Sequence, residues 1–390
     1  DFFYEFITPA YQIILKDLID PKAKNVNMSN NVKLEFNSEY AFNEQMNKLD
    51  KNKILKIHYI KGLGSISDPD IHRYFKNIDK HLKSIIINKE QLDNTNDLMF
   101  NLYSGGKKEI EFRKKWINNY DETVMLQRNV IKNINIIDFM EKCNIHYAYD
   151  SCIRSIPSLY DGLKPSQRKI LYTLFKRGKE SYNFQKVTSL SGDVTKIGRY
   201  LHGEASLEET IFGMMRYWAG SNNIPLLKSM GTIGSRLDMG TMHSQSRYVF
   251  TALNEISRFI FIKDDDEVLE YVKEEGEYTE PNYYVPIVPM VLINGGLGIG
   301  TGYSTDTPQH NPFDCINYIK DILTKDCNKN GIKTLDSDVK IRLYFPNCDI
   351  DLRKEDGEWV SYGKQKFILP EKSKDRFWNT TCINKDKPYD

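Results

Sequence analysis

An adjacent arginine and tyrosine, Arg247 and Tyr248, close a Gly-rich polar run, GTIGSRLDMGTMHSQSRYVF at 231–250, and pass into a β-branched and aromatic segment. A phenol is a poor nucleophile at its free pKa of about 10, and becomes a useful one where cations stabilise charge on the phenolate and on the phosphoryl group it attacks. Arg247 is placed to supply that charge. The competing reading makes Tyr248 a half-buried strand aromatic and Arg247 its solvated neighbour, and the pair alone does not choose between them. Downstream, Leu253, Ile256, Phe259 and Ile260 recur at helical spacing. The Tyr is therefore expected where a strand or turn enters a buried helix, which would hold its hydroxyl in place.

Three further positions carry possible chemistry. Lys61 sits in a KGLG turn, where Gly62 and Gly64 let backbone approach a ligand; phosphate contact and an ordinary strand-to-helix turn both fit. His202, in YLHGE, lies among small and polar residues before an amphipathic helix and can donate to a phosphate oxygen or simply tie down its loop. Ile299 stands between Gly298 and Gly300 and either fills a core pocket or acts as a wedge between base steps. The surrounding Gly-dense run has neither G-x-G-x-x-G spacing nor a following GK[ST], so it is not a nucleotide loop of either kind.

The elements that must position these residues follow from local pattern. Residues 32–43 read as a strand, a turn and a helix start; Leu55, Ile57 and Tyr59 alternate as a strand. Asp68 and Pro69 open a helix whose stripe continues through Phe75, Ile78, Leu82 and Ile85. Residues 87–128 are polar and read as a linker ending in a surface helix. Pro165 sits in the first turn of a helix with Ile170, Leu171, Leu174 and Phe175 on one face, stopped by Gly178. A Val/Ile-rich strand is expected before the Gly-dense run, a helix over 313–324, and antiparallel strands over 339–369.

Between residues 152 and 204 ten basic side chains face four acidic ones, a local excess of +6 in a chain whose formal net charge is +1. Scattered helix-surface lysines would explain it, but an excess of this size points to a polyanion-facing surface. At 390 residues, 40% hydrophobic and 27% charged, the chain is globular with two or three domains. Six cysteines are scattered without a CxxC pair, which fits a reducing intracellular compartment, and no signal peptide or membrane-length apolar run is present. The opening DFFYEFITP starts in mid-pattern, as if cut from a larger polypeptide.

Taken in order, EFITP at 5–9, YIKGLG at 59–64, IPSLYDGLKPSQRKILYTLFKRG at 156–178, YLHGE at 200–204, SRYVFTAL at 246–253 and PMVLINGGLGIGTGYS at 289–304 resemble the DNA-binding and cleavage core of eukaryotic-type type IIA DNA topoisomerases. The resemblance runs from residue 1 to about 312. It implies an α+β multidomain fold: the C-terminal part of a TOPRIM α/β domain over 1–90, a linker over 91–145, a winged-helix domain over 146–284, and the start of an antiparallel β tower domain over 285–390. It implies Tyr248 as the nucleophile that forms a 5′-phosphotyrosyl link, with Arg247, Arg168 and His202 around the scissile phosphate. Lys61, Lys164, Lys169, Lys176 and Arg177 are expected to contact DNA, and Ile299 to insert between base pairs. The implied partners are double-stranded DNA and a second copy of the chain, with no membrane. The implied cofactors are Mg2+ and, in a full-length enzyme, ATP. The location would be a nucleus, or host cytoplasm or virion for a large DNA virus.

Three departures stand beside the resemblance. The family's acidic metal ligands, in EGDSA and DxDxD motifs, are expected upstream of Asp1, and the ATPase module and coiled-coil gate are not recognised in the chain. Where the family carries Gly-Lys-Asp before Arg-Tyr, this chain has Gly240, Thr241, Met242 and His243, so one basic contact is lost or replaced by His243. Two other function classes stay open at this point: a DNA-binding and bending module without cleavage, and an RNA-binding scaffold that uses the basic surface but leaves the Arg-Tyr pair idle.

Overall fold

The computed structural model describes residues 3–6, 11–15, 32–36, 39–60, 66–124, 126, 133–274, 276–325, 339–346, 349–355 and 358–364. The chain divides into two compact units, Asp1–Ser151 and Cys152–Asp390. Among the described residues no helix is long and apolar enough to cross a membrane, and Cys143, Cys152 and Cys315 are free thiols.

The first unit runs β1 (Phe3–Phe6), β2 (Tyr11–Leu15), β3 (Val32–Phe36), α1 (Glu39–Lys48), β4 (Ile54–Tyr59), α2 (Asp68–Lys76), α3 (Ile78–His81), β5 (Leu82–Ile86), α4 (Leu92–Tyr103), α5 (Lys107–Asn118), β6 (Asn133–Asn135), α6 (Ile136–Phe139) and the first part of α7 (Ile145–Ser155), whose last four residues belong to the second unit. β2 is the centre of an antiparallel β3-β2-β4 sheet, with Ile13 opposite both Leu34 and Ile57 and fully buried. Strand alternation puts Lys33 and Glu35 on one face, where α2 meets them: Lys33 Nζ lies 2.8 Å from Asp70 Oδ1, Tyr74 donates to Glu35 at 2.9 Å, and Arg73 also donates to Glu35. Burial foremost, and then the Glu35 charge, push the Tyr74 phenol far above its usual range.

Two expectations need correction in this unit. The stripe through Phe75, Ile78, Leu82 and Ile85 is not one helix: α2 and α3 end at His81 and the chain becomes β5, which pairs antiparallel with β1 and parallel with β6. Phe75 and Ile78 are exposed. The β-branched run Ile85-Ile86 between sheet partners overrides the helical spacing. The stretch 91–145 is not a linker: α4 and α5 form a helical pair, with Trp116 and Ile117 buried. Arg113 caps α4, donating to the carbonyls of Asn101 at 3.0 Å and Ser104 at 2.6 Å.

The second unit continues with α8 (Pro165–Arg177), β7 (Gln185–Lys186), α9 (Val187–Ile197), α10 (Glu204–Met215), β8 (Leu227–Met230), β9 (Phe250–Leu253), α11 (Glu255–Ile260), β10 (Tyr271–Glu274), β11 (Glu277–Pro281), α12 (Met290–Ile293), β12 (Gly296–Ile299), β13 (Ser304–Thr307), α13 (Pro312–Lys325), β14 (Asp349–Glu355) and β15 (Glu358–Lys364). Pro165 opens α8 and Gly178, at φ 61°, stops it, as its residue types require. Helices α8, α9 and α10 bury Ile170, Leu171, Leu174, Leu190, Val194, Leu207 and Ile211 against the antiparallel sheet β7-β9-β8. Three helices and a three-stranded sheet whose β8–β9 connection projects as a long loop make a winged helix, and that wing is the 231–249 segment.

The expected strand before the Gly-dense run is absent. Pro286 and Pro289 lack the N–H groups a ladder needs; the chain forms the short helix α12 and then the hairpin β12–β13. Nor does a new domain begin at 285, because Met290, Ile293 and Cys315 share one core with the winged-helix residues. Asn223 fastens this region, donating from Nδ2 to the carbonyls of Ile293 at 2.8 Å, His310 at 3.1 Å and Tyr344 at 3.1 Å. Of the strands expected over 339–369, the segment at 358–364 forms β15 and pairs antiparallel with β14, whereas 340–345 forms no strand, its Leu343 making an isolated bridge to His310; residues 365–390 lie outside the described residues.

Candidate functional site

Tyr248 is the second-last residue of the wing before β9, and alternation decides its orientation. Val249 is fully buried in the core and its carbonyl accepts from Val187 N–H at 2.9 Å, so the side chain before it turns outward, 66% exposed. Its own N–H closes a turn on the Gln245 carbonyl at 2.9 Å. The Arg247 guanidinium carbon stands 5.4 Å from the Tyr248 ring centroid, and Arg247 Nε donates to Gln245 Oε1 at 2.7 Å. A cation is thus held beside an accessible phenol by a neighbouring amide. A half-buried strand aromatic does not look like this.

The wing is an ordered loop. Ile233 and His243 form a β-bridge, and Ser244 N–H donates to the Thr232 carbonyl at 3.0 Å. At its tip Asp238 accepts from Ser235 N–H at 3.0 Å and Met242 N–H at 3.3 Å. The Ser235 hydroxyl foremost, then the loop N–H groups of Ser235, Met242 and Gly240, hold the Asp238 carboxyl down at about 2. Gly240 adopts φ 78°, and any Cβ there would collide with the Arg216 guanidinium, so the loop admits no other residue at that point without rearrangement.

His202 lies in the loop between α9 and α10, exposed and edge-to-face on the buried Tyr200 ring at 5.4 Å. Arg199, at φ 51°, turns the chain sharply to bring it there. Ile299 ends β12 and is 73% exposed, so the core-filling reading fails. The glycines on either side explain why: a Cβ at Gly298 would strike the Ser155 carbonyl and one at Gly300 would strike Cys152, so both let the hairpin lie flat while Ile299 points away.

Several basic residues do not stand where a phosphate contact needs them. Arg168 is 5% exposed and locked in a two-point pair with Asp161, which is 0% exposed: Nε to Oδ2 at 2.8 Å and Nη2 to Oδ1 at 3.1 Å. Asp161 also accepts from the Leu163 and Tyr284 backbone N–H groups, so this pair fastens the DGLKP turn rather than lining a surface. Lys169, 7% exposed, lies 2.6 Å from Glu280 Oε2 and 3.3 Å from Glu274 Oε1. Arg177 is held by Asp193 at 2.6 Å and Gln185 at 2.7 Å. Lys176 remains exposed, and Lys164 is half-buried, with desolvation pushing its ammonium pKa down. Lys61 and its KGLG turn lie outside the described residues. The +6 excess is therefore partly an internal account of ion pairs; Arg154, Lys176, Lys179, Lys186 and Lys196 are its exposed remainder.

Sequence reasoning missed the acids that organise the site, Glu208 and Glu209 on α10 and Asp238 on the wing. Only Asp238 had a local signal, the Ser-x-x-Asp spacing of Ser235 and Asp238, which suits a side chain that folds back on its own turn. Among the described residues no group of three or more His, Cys, Asp or Glu side chains could hold a metal ion.

Comparison with known proteins matches this architecture. The family model for the A subunit of DNA gyrase/topoisomerase IV covers residues 154–365, and that for the C-terminal associated domain of TOPRIM covers 6–152. A mitochondrial DNA topoisomerase 2 of Dictyostelium discoideum is 42% identical over 270 residues, 69% of this chain and 20% of that protein. DNA topoisomerase 2 of Candida glabrata is 37% identical over 83% of this chain and 22% of its own length. The crystal structure of the Plasmodium falciparum topoisomerase II DNA-binding, cleavage and re-ligation domain agrees with a TM-score of 0.71 at 32% identity, covering 92% of this chain and 45% of that one. The chain thus spans about a fifth of the length of these two curated relatives. With a winged helix whose wing ends in an exposed Arg-Tyr pair, and with family models meeting at its unit boundary, the chain belongs to the type IIA DNA topoisomerase family.

Proposed function

We propose that this chain is the DNA gate of an ATP-dependent type II DNA topoisomerase, and that Tyr248 is the group that breaks and reseals DNA. The observation that carries the reading is the exposed Tyr248 hydroxyl on a braced wing with Arg247 fixed beside its ring. The Tyr248 oxygen attacks a backbone phosphorus; the bond from phosphorus to the 3′ oxygen breaks, the phenol proton leaves, and the 3′ oxygen takes one up. The 5′ phosphate stays on the tyrosine. Because one phosphodiester is exchanged for another, the 3′ hydroxyl can reverse the step and reseal the strand without an energy source. Arg247 and His202 supply donors to phosphoryl oxygens where negative charge accumulates. Arg168 acts behind them by holding the turn that leads into α8. Ile299 is the wedge, and unstacking a base step costs about a few kcal/mol, which phosphate contacts from the exposed lysines offset.

Two copies, each presenting Tyr248, would cut both strands of a duplex and pass another through. Mg2+ and ATP, which this family generally uses, belong to the full-length activity. The test is incubation of the full-length gene product with supercoiled plasmid and Mg2+, followed by denaturation with SDS and protease. Protein-linked linear DNA is expected with the native protein and not with Tyr248→Phe; linear DNA that persists in the variant would falsify the assignment. A native protein that binds and bends DNA yet never becomes covalently joined to it is a bending module instead.

A further inference from the structure

Two consecutive glutamates of α10 hold the wing. Glu209 Oε1 accepts from Arg216 Nη2 at 2.5 Å, and its Oε2 lies 3.0 Å from His243 Nε2. Each partner reaches the loop separately. Arg216 Nη2 also donates to the Gly240 carbonyl at 3.0 Å, at a position whose φ of 78° favours glycine. The His243 ring stacks on the buried Phe212 of α10, centroids 4.0 Å apart, and its Nδ1 lies 2.9 Å from the Ser244 carbonyl. Beside Glu209 on the same helix, Glu208 is reached through α9: the Thr188 hydroxyl bridges Glu208 Oε1 at 3.2 Å and Ser246 Oγ at 2.9 Å. The five residues before Tyr248 are therefore tied to α10 at His243 and Ser246, and α10 begins two residues after His202.

We infer that Glu209 is a positioning residue for the Tyr248 nucleophile, acting through His243 and Arg216. The inference rests on the proposed role of Tyr248. An ordinary surface pair is the competing account, and Glu209 is 53% exposed, as such pairs are. The two accounts separate on magnitude. An exposed ion pair adds little to stability, whereas in-line attack on phosphorus is sensitive to displacement, with about 1 Å worth on the order of a hundredfold in rate. A positioning role therefore shows in the chemical step while folding and DNA affinity stay where they were.

The experiment measures covalent-complex formation under single-turnover conditions with the full-length gene product, beside DNA affinity and the thermal unfolding midpoint. Glu209→Ala is expected to slow covalent-complex formation by about tenfold or more, with affinity and midpoint unchanged. Glu209→Gln should recover much of the rate, since its amide oxygen still accepts from Arg216. Because Glu209 acts through His243, the double variant Glu209→Ala/His243→Ala should be no slower than the slower single variant. The inference is overturned by a native rate in Glu209→Ala, by rate loss matched in affinity or midpoint, or by additive losses in the double variant. Tyr248→Phe run alongside separates the two readings: a covalent complex in that variant removes the role of Tyr248 itself, while a Tyr248-dependent complex formed at native rate by Glu209→Ala removes only the positioning role.

Discussion

Lys169 holds Gly198: its Nζ donates to the Gly198 carbonyl at 2.9 Å while lying 2.6 Å from Glu280 Oε2, with both charged side chains buried. A single ammonium from α8 thereby pins the start of the loop that carries His202 to the β10–β11 hairpin. Removing the ammonium strands a carboxylate with 4% exposure. Lys169→Met is expected to lose about 3–5 kcal/mol of stability in chemical denaturation. Adding Glu280→Gln should restore part of it, because the buried charge goes with its partner. A Lys169→Met protein as stable as the native one would show the pair to be incidental.

A phosphate contact and a structural pair are distinguishable by salt. Each phosphate neutralised adds about 0.9 to the slope of log affinity against log salt concentration. Lys176, exposed on α8 with its Nζ 5.6 Å from the Tyr172 ring centroid, is a candidate for that work. Lys176→Gln should lower the slope by about 0.9 and leave unfolding unchanged. Arg168→Gln should do the reverse, lowering the unfolding midpoint and leaving the slope alone, since its guanidinium is spent on Asp161. A reduced slope in folded Arg168→Gln would return Arg168 to the DNA surface.

What the sequence made legible is what short stretches of chain decide. Pro165 and Gly178 bracket α8, the strand β3 precedes the helix that starts at Glu39, and Tyr248 falls at the entry to a strand that leads into α11. The burial of Lys169 was not legible, because its acid stands 111 residues away on another element, and an exposed lysine and a buried one have the same local spelling. The same holds for α4 and α5, whose polar composition hides their buried positions, Thr95 and Leu102 on α4 and Trp116 and Ile117 on α5. The exposure of the candidate site was legible at Tyr248 and Ile299, where glycines and an Arg-Tyr pair are unusual neighbours. The site was unreadable at Glu209, an unremarkable helix residue until His243 and Arg216 meet it.

Asp238 predicts a pH window for the wing. Its carboxyl is held at about 2 against an ordinary 3.8, chiefly by the Ser235 hydroxyl. A depressed carboxylate contributes order above the unfolded value, and that contribution fades as pH falls through the folded one. The Met242 amide, which donates to Asp238, should therefore stay protected from hydrogen exchange at neutral pH and lose protection between about pH 4 and pH 2. Asp238→Asn should expose the same amide already at neutral pH. Equal protection in the variant would mean the backbone bonds of the loop suffice without the carboxylate.

Ile299 and its flanking glycines give opposite predictions on one hairpin. With 73% of its surface exposed, Ile299 contributes little to the core, so Ile299→Ala should leave the unfolding midpoint unchanged. If its side chain wedges a base step, the same variant should bend a fluorescently end-labelled duplex less, with a measurable fall in energy transfer between the ends. Gly298→Ala changes no exposed surface but drives a Cβ against the Ser155 carbonyl, which is backbone and has little freedom to yield. That variant should lower the midpoint and the bending together, because the hairpin can no longer seat where it aims Ile299. Bending that survives Ile299→Ala but not Gly298→Ala would assign the work to the hairpin backbone and leave the isoleucine without a role.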